Sequence, residues 1–407
     1  MATSFEVGGV QIDFDPASPE FRTDPYPYLH MLRSHAPVCR ADLGQPCWLV
    51  TGYASVMDGF RDRRLSADRF HLGPPEMQSS ALMRGLASMM LLRDPPDHTR
   101  LRTLVSKAFT PRVVEELRPR IREITDRLIA RVFAKGSMEL MDDLAAPLPA
   151  MVIAQLLGVP PEDHQQFKQW SDDLIVIADG SLAIEGLPAA ERSAAALIEY
   201  LERIMADRQR SPQNDLISGL VAARDQGDAL THGEMLSTCI LLLIAGHETT
   251  TNLIGNGILT LLRHPQALED LRRDPGLIGS AVEELLRFES PIQLMSRVAI
   301  VDLELGSVEI PAGREVVMML GAANRDPAEF PEPDRLDLRR TDNHHVAFGH
   351  GIHFCLGAAL ARLEGQIAIG TIVRELPNLR QSSSEVEWKA GLMLRGLKRL
   401  TLEFGYV

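Results

Sequence analysis

The chain has 407 residues, 45% of them hydrophobic and 24% charged, a globular composition that excludes disorder, a collagen-like repeat or a charged tail as its main theme. The length suggests two or three domains at ~150 residues each, and the scarcity of aromatics beside frequent Leu, Ala, Met and Arg leans towards helix. A net charge of −13 argues against sequence-independent nucleic-acid binding, which needs a basic face.

The first residues, MATSFEVGGVQIDFDP, lack the basic and apolar regions of a signal peptide, so a cytoplasmic protein is expected. Residues 13–28, rich in Pro and Asp, read as an extended leading segment. Residues 48–51 predict a short strand before a helix that starts near Tyr53. Residues 83–92 are apolar and Met-rich and end at the Asp94-Pro95-Pro96-Asp97 break. Thr110-Pro111 pairs an N-cap with Pro at the first helical position, opening a helix that carries Val113, Val114, Leu117, Ile121, Ile124 and Leu128 on one face. Thr231-His232-Gly233-Glu234 is a capping box, and no proline follows until Pro265. That allows one helix of ~30 residues, about 45 Å long, apolar nearly all round and therefore buried. Its most apolar stretch, residues 235–246, is too short for a bilayer, which needs ~20 residues, so no membrane partner is expected. After Pro291, Val298, Ile300 and Leu303 alternate with polar residues, Gly306-Ser307 can turn a hairpin, and residues 315–320 form another strand. An irregular, proline-bearing stretch, 321–345, follows, and helix returns after Cys355 to run to about Glu375. The expected fold is mainly α with a minor β region.

Four cysteines, Cys39, Cys47, Cys239 and Cys355, are too few for a disulfide scaffold, and none forms a CxxC pair that would suggest a multi-Cys zinc module. Cys39, Cys47 and Cys239 read as small core residues. Cys355 differs, because it sits in Phe348-Gly349-His350-Gly351-Ile352-His353-Phe354-Cys355-Leu356-Gly357, where a loop becomes a helix. Glycines permit tight turning and close backbone approach, while amide N–H groups and the positive helix end favour thiolate. Such a sulfur suits an axial ligand to a flat cofactor. A buried structural thiol, a cysteine hydrolase pairing Cys355 with His353, and a metal cluster of His344, His345, His350 and His353 are the alternatives that the residues alone leave open, the last fitting zinc poorly.

The stretch resembles the haem-binding loop of the cytochrome P-450 superfamily, Phe-Gly-x-Gly-x-His-x-Cys-x-Gly, with every position filled. The resemblance implies haem b (heme b, iron protoporphyrin IX), with Cys355 as thiolate ligand of the iron and His353 against a propionate. Phe348, Gly349 and Gly357 complete the cofactor-binding loop. An anionic sulfur pushes electron density to iron and favours O–O cleavage.

Within the long helix, Ala245-Gly246-His247-Glu248-Thr249-Thr250 places an acid and a hydroxyl in apolar surroundings, costly unless paired or wetted. The residues suggest a local kink that holds a small ligand and a proton path, or else a packing glycine with a threonine bonded back to the helix. The resemblance implies the oxygen-activation motif, with Ala245 at the cofactor and Glu248 and Thr249 delivering protons for O2 chemistry. Glu284 and Arg287 lie three apart on one helix face and match the family's structural E-x-x-R pair, with Arg335 of Pro333-Asp334-Arg335-Leu336 implied as third member. His98, Arg102 and Arg297 read as ordinary surface charges in isolation; the family places propionate-binding residues there.

By the same resemblance one fold spans residues 1–407, with β-rich parts near 30–60, 296–320 and the C-terminal strands, and helical parts at 95–290 and 355–376. Pocket candidates are Met83, Leu86, Met89, Met90, Leu242, Ala245, Ile292, Leu294 and Met393, each of which can equally be core. The implied enzyme is a soluble bacterial haem-thiolate monooxygenase, expected as a monomer. It would act on an apolar small molecule such as a macrolide, polyketide or terpenoid, with electrons from a ferredoxin and ferredoxin reductase. A haem-thiolate sensor without turnover is the alternative. Arg100, Lys107, Arg112 and Arg362 are the expected basic docking patch.

Overall fold

The computed structural model describes residues 3–7, 10–15, 18–43, 45–69, 88–178, 187–224 and 230–405. Met83 and Leu86 lie outside them.

The leading segment is less extended than expected: helix Pro19–Thr23 is capped by Ser18 Oγ, and α1 (Tyr26–His35) follows, so its prolines act as helix-starting residues. A five-stranded sheet comes next, built from β1 (Val38–Asp42), β2 (Pro46–Val50), β3 (Leu65–Ser66), β4 (Leu294–Ala299) and β5 (Glu315–Met319), in the order β1-β2-β5-β4-β3. The β2–β5 pair is parallel and the other pairs are antiparallel. Helix α2 (Tyr53–Arg61) leaves the end of β2, as the sequence predicts. The register Arg297↔Val316 places Arg297 mid-sheet.

The helical body begins with α3 (Asp97–Ser106). Thr110 Oγ1 accepts from Val113 N–H at 3.4 Å, but the single helix expected after it is two, Pro111–Glu116 and α4 (Arg118–Phe133). The join at Leu117 precedes Pro119, which has no N–H to continue the ladder. Helices α5 (Pro147–Leu157) and α6 (His164–Ala178) then pack on α7 (His232–Arg263), the 32-residue central helix. Its capping box is formed: Thr231 Oγ1 accepts from Glu234 N–H at 3.2 Å, and Glu234 Oε2 accepts from Thr231 N–H at 2.7 Å. The helix is assigned without interruption through Gly246.

Helices α8 (Ile278–Phe288) and α9 (Ala358–Glu375) close the other side of α7. A Cβ on Gly257 would meet Ile369 at 2.9 Å, so the glycine sets how closely α7 and α9 approach. Among the described residues no helix is long and apolar enough to cross a membrane.

The irregular stretch between β5 and the cysteine loop is anchored by charge. Glu284 and Arg287 are fully buried, and Arg287 Nε and Nη2 donate to the Glu284 carboxylate at 2.8 Å each. Arg287 Nη1 also donates to the carbonyls of Asn324 and Pro333. The third side chain of this network is Arg340, not Arg335. Arg340 Nε lies 3.2 and 3.3 Å from the Glu284 oxygens and its side chain is 8% exposed. The Arg335 side chain is 60% exposed and pairs at the surface with Glu332 and Asp337, contributing only its carbonyl to Arg287. A buried carboxylate recruits the guanidinium that burial can cover, and the turn after Asp337 carries Arg340 inward.

Candidate active site

The cysteine loop starts from two glycines in the left-handed region, Gly349 (φ 68°) and Gly351 (φ 73°). A Cβ on Gly351 would stand 3.0 Å from the Phe60 carbonyl oxygen, so α2 and the loop touch through backbone there. Cys355 N–H donates to Phe348 O at 3.0 Å, closing the loop, and α9 begins three residues on. Burial pushes the Cys355 thiol up, and the Gly357 amide, Arg102 and Arg362 offset this only in part. The expected net depression by the helix end is therefore corrected: a thiolate here needs a cation against the sulfur. Cys39, Cys47 and Cys239 are buried, their thiols pushed to about 11, 12 and 12 by burial, as inert core residues require.

Beside this loop three separate elements bring positive or protonatable groups together. His98 and Arg102 share a face of α3, Arg297 comes from β4, and His353 comes from the turn before Cys355. The rings of His98 and His353 lie 4.1 Å apart. Both Nε2 atoms are buried without a hydrogen-bond partner. Burial, then Arg297, His98 and Arg102, push His353 down to about 3; burial and Arg69 push Arg297 down to about 10. Among the described residues no carboxylate forms an ion pair with Arg102 or Arg297, and the nearby Asp94 is occupied by Ser66 and Ala67 N–H. Arg69, which sequence reasoning missed, joins the group and donates to Ser296 Oγ at 2.9 Å. Buried cations and orphaned imidazole nitrogens around an empty counter-charge fit a ligand that carries carboxylates. No group of three or more His, Cys, Asp and Glu side chains among the described residues could hold a metal ion, so the histidines do not converge as a cluster.

Opposite in character is the middle of α7. Most of this helix is buried, yet Ala245 is exposed and Leu241, Gly246 and Thr249 are half-buried. Residues 241, 245 and 249 recur every four positions, so a stripe of one face is left open for a flat apolar body. Thr249 Oγ1 donates to Ala245 O at 2.7 Å, the back-bonded form. Glu248 is buried and pairs with Lys389, a residue the sequence analysis did not single out. The two line a cavity of about 250 Å³ on another side of the helix with His247, Thr251, Lys168 and Asp172. His247 is 1% exposed, bonded at Nδ1 to Ser171 Oγ (3.0 Å) and unpartnered at Nε2. The structure thus holds Thr249 within the open stripe and Glu248 away from it.

A sulfur at a glycine-turned loop, a cationic carboxylate site and an open stripe on a buried helix together match a haem pocket, and the comparisons agree. The "Cytochrome P450" family model matches residues 73–275 and 276–394. The chain belongs to the cytochrome P450 family. It is 43% identical over 393 residues to the biotin biosynthesis cytochrome P450 of Bacillus subtilis (strain 168), covering 95% of this chain and 98% of that one. It is 44% identical over 398 residues to the vitamin D(3) 25-hydroxylase of Pseudonocardia autotrophica, covering 96% of each. Among solved structures it resembles P450BioI in complex with a hexadec-9Z-enoic acid-ligated acyl carrier protein, at TM-score 0.90 and 42% identity over 95% of this chain and 100% of that one. The P450 is accordingly a haem-thiolate oxidoreductase that uses O2.

Of the pocket candidates, Met89, Met90 and Leu242 are buried in the main core cluster, while Ile292, Leu294 and Met393 are half-buried. Ile292 bridges Leu394, and Gln293 N–H donates to Met393 O at 2.8 Å, so these come together where β4 meets the C-terminal region. Of the expected docking cations, Arg100 pairs with Glu234, Arg112 with Glu116 and Arg362 with Glu283. Their charge is therefore largely compensated.

Proposed function

We propose that this P450 hydroxylates or epoxidises an apolar small molecule of secondary metabolism, a polyketide, macrolide or terpenoid skeleton. The observation that carries the reading is the joint placement of Cys355 and an uncompensated cluster of His98, Arg102, Arg297 and His353 beside a helix stripe opened at Ala245 and Thr249. Relatives described as acting in biotin biosynthesis and as a vitamin D(3) 25-hydroxylase support a carbon-rich substrate. The solved relative bound to an acylated carrier protein supports a substrate offered either free or on such a carrier.

In this reading the haem, when bound, supplies the iron at which O2 is activated. Cys355 holds that iron through sulfur, which keeps its negative charge against the metal. His98, Arg102, Arg297 and His353 hold the two propionates by charge-assisted hydrogen bonds, with Arg69 adding positive charge. Phe348, Gly349 and Gly357 shape the loop, and the small side chain of Ala245 would leave room for the cofactor. Thr249 Oγ keeps its proton on Ala245 O and can accept another hydrogen bond from water at the open stripe. Glu248 lines the cavity shared with Lys389 on another side of the helix, so its part in proton delivery requires the Lys389 pair to open and the carboxylate to turn towards Thr249. Met89, Met90, Leu242, Ile292, Leu294 and Met393 give the substrate an apolar wall. Electrons come from a ferredoxin and its reductase, and the enzyme works in the cytoplasm as a monomer.

The test is the carbon monoxide difference spectrum of the reduced, haem-supplied protein. The strongly red-shifted Soret band of thiolate-ligated haem is expected, and Cys355→Ala abolishes it. A well-folded, haem-supplied chain without that band sinks the reading. Substrate-induced spin-state shifts across a panel of apolar compounds then identify the class.

A further inference from the structure

Arg362 stands on the first turns of α9, just past the cysteine loop, and two side chains hold it. Its Nε and Nη2 donate to Glu283 Oε1 and Oε2 at 2.7 and 2.8 Å, a bidentate fork onto α8. Its guanidinium lies over the Phe348 ring, 4.5 Å from the centroid. His345 braces Glu283 from the other side of the pair. Its Nδ1 accepts from Ala347 N–H at 3.2 Å, so its Nε2 carries the proton and donates to Glu283 Oε2, also at 3.2 Å. Phe348 is the residue whose carbonyl accepts the Cys355 N–H. One continuous path therefore runs from α8 through Glu283 and Arg362 to the Phe348 ring, and from the Phe348 carbonyl to the cysteine that holds the metal in the reading above. Glu283 adjoins Glu284 of the buried network, so the path ends on one of the most firmly anchored points of the chain.

We propose that Arg362, locked by Glu283 and seated on the Phe348 ring, is a positioning residue that fixes the cysteine loop in its ligating geometry, and not a cation for docking a redox partner. A docking cation offers its charge to a partner. Here the Nε/Nη2 edge of the guanidinium is committed to a carboxylate in the chain and one flat face to an aromatic ring, which leaves the side chain 31% exposed. Lysine cannot replace it: an ammonium keeps the charge but has neither the two-point fork nor the flat face. The proposal rests on Cys355 being the axial ligand.

The test uses full-length, haem-loaded protein and reads the carbon monoxide spectrum of the reduced form for wild type, Arg362→Met, Arg362→Lys, Glu283→Gln and a control, Arg272→Met. Arg272 anchors the far end of α9 through the carbonyls of Val373 and Leu376 and matches the loss of a helix tether without touching the loop. Arg362→Met is expected to lose part of the thiolate-type band to the shorter-wavelength band of displaced or protonated sulfur. Arg362→Lys recovers little of it, Glu283→Gln shows a smaller loss in the same direction, and Arg272→Met keeps the full band even where its urea midpoint falls. Should Arg362→Met not fold, the lysine and Glu283→Gln variants decide by the same readout. The proposal is overturned if these variants keep the full band while reduction by ferredoxin slows and loses its salt dependence, the signature of a docking cation. It is equally overturned if Arg272→Met loses as much band, which would make the effect general loosening. A wild-type chain without the band removes the axial-ligand reading itself, a result distinct from a normal wild type with unaffected variants.

Discussion

Replacing Arg340 by methionine removes one guanidinium from a carboxylate that water does not reach. Glu284 would keep the two Arg287 bonds at 2.8 Å, the Asp337 amide at 2.9 Å and Asn343 at 3.2 Å, so it is not left bare. What it loses is one charge-assisted donor shared between its two oxygens and the positive charge that comes with it. Hydrogen bonds to charged groups contribute about 1.5–3 kcal/mol, and breaking a buried pair outright costs about 3–5 kcal/mol. A loss of about 2–3 kcal/mol is expected, since the pair is depleted and not abolished. Arg335→Met breaks two surface pairs at 3.3 Å on a side chain that is 60% exposed, which together contribute less than about 1 kcal/mol. Urea unfolding of both variants, followed by circular dichroism, should therefore move the midpoint substantially for Arg340 and little for Arg335. A midpoint for Arg335→Met as low as that for Arg340→Met would refute the assignment of the third charge.

The remaining expectations are briefer. Thr249→Ala should keep the thiolate-type carbon monoxide band but divert reducing equivalents into peroxide, measured as peroxide formed per NADH consumed; unchanged coupling removes Thr249 from proton delivery. In the haem-free protein His353 should contribute a loss of stability on acidification. His353 stays neutral down to about 3 when folded but takes a proton near 6.5 when unfolded, so between those values the unfolded state binds more protons. His353→Gln should flatten that dependence in urea midpoints across the window, and loading with haem should reduce it too. Glu364 behaves with opposite sign: burial raises it to about 8, one oxygen has no partner, and stability falls as pH rises from about 4.5 to 8 because only the unfolded state gives up the proton. Glu364→Gln should therefore raise the urea midpoint more at pH 8 than at pH 5, and an equal change at both would contradict this. Charge reversal at Lys107 and Arg112 together should slow electron transfer from an acidic ferredoxin; an unaffected rate would count against a docking role for this face.

The long helix was legible because local rules suffice for it: a capping box at Thr231, no proline until Pro265, and apolar residues throughout. The cysteine loop was legible because its glycines and its sulfur sit within ten residues. Failures came where the deciding partner is remote. Lys389 meets Glu248 across 141 positions, and nothing near either residue announces the pair. Arg340 displaced Arg335 because residues 321–345 have no period from which to read which arginine turns inward, and burial made the choice. The thiol of Cys355 was expected to favour thiolate from the loop amides and the helix end; the Gly357 amide acts in that direction, but desolvation, a property of the assembled fold, is the larger effect. The helix start at Tyr26 was hidden because Pro25 reads equally as a break and as a cap.

The arginines Arg102 and Arg297 and the neutral imidazoles of His98 and His353 beside them have a consequence for the life of the chain in a cell. Folding the polypeptide alone brings these like charges and protonatable rings together with nothing to neutralise them. A ligand that binds only the folded form stabilises it by mass action, and this one also removes the repulsion. Chains that have not acquired cofactor are therefore the ones that open most often, and proteases act on the open form. If these residues hold the cofactor as proposed, the amount of enzyme a cell retains would follow its supply of haem.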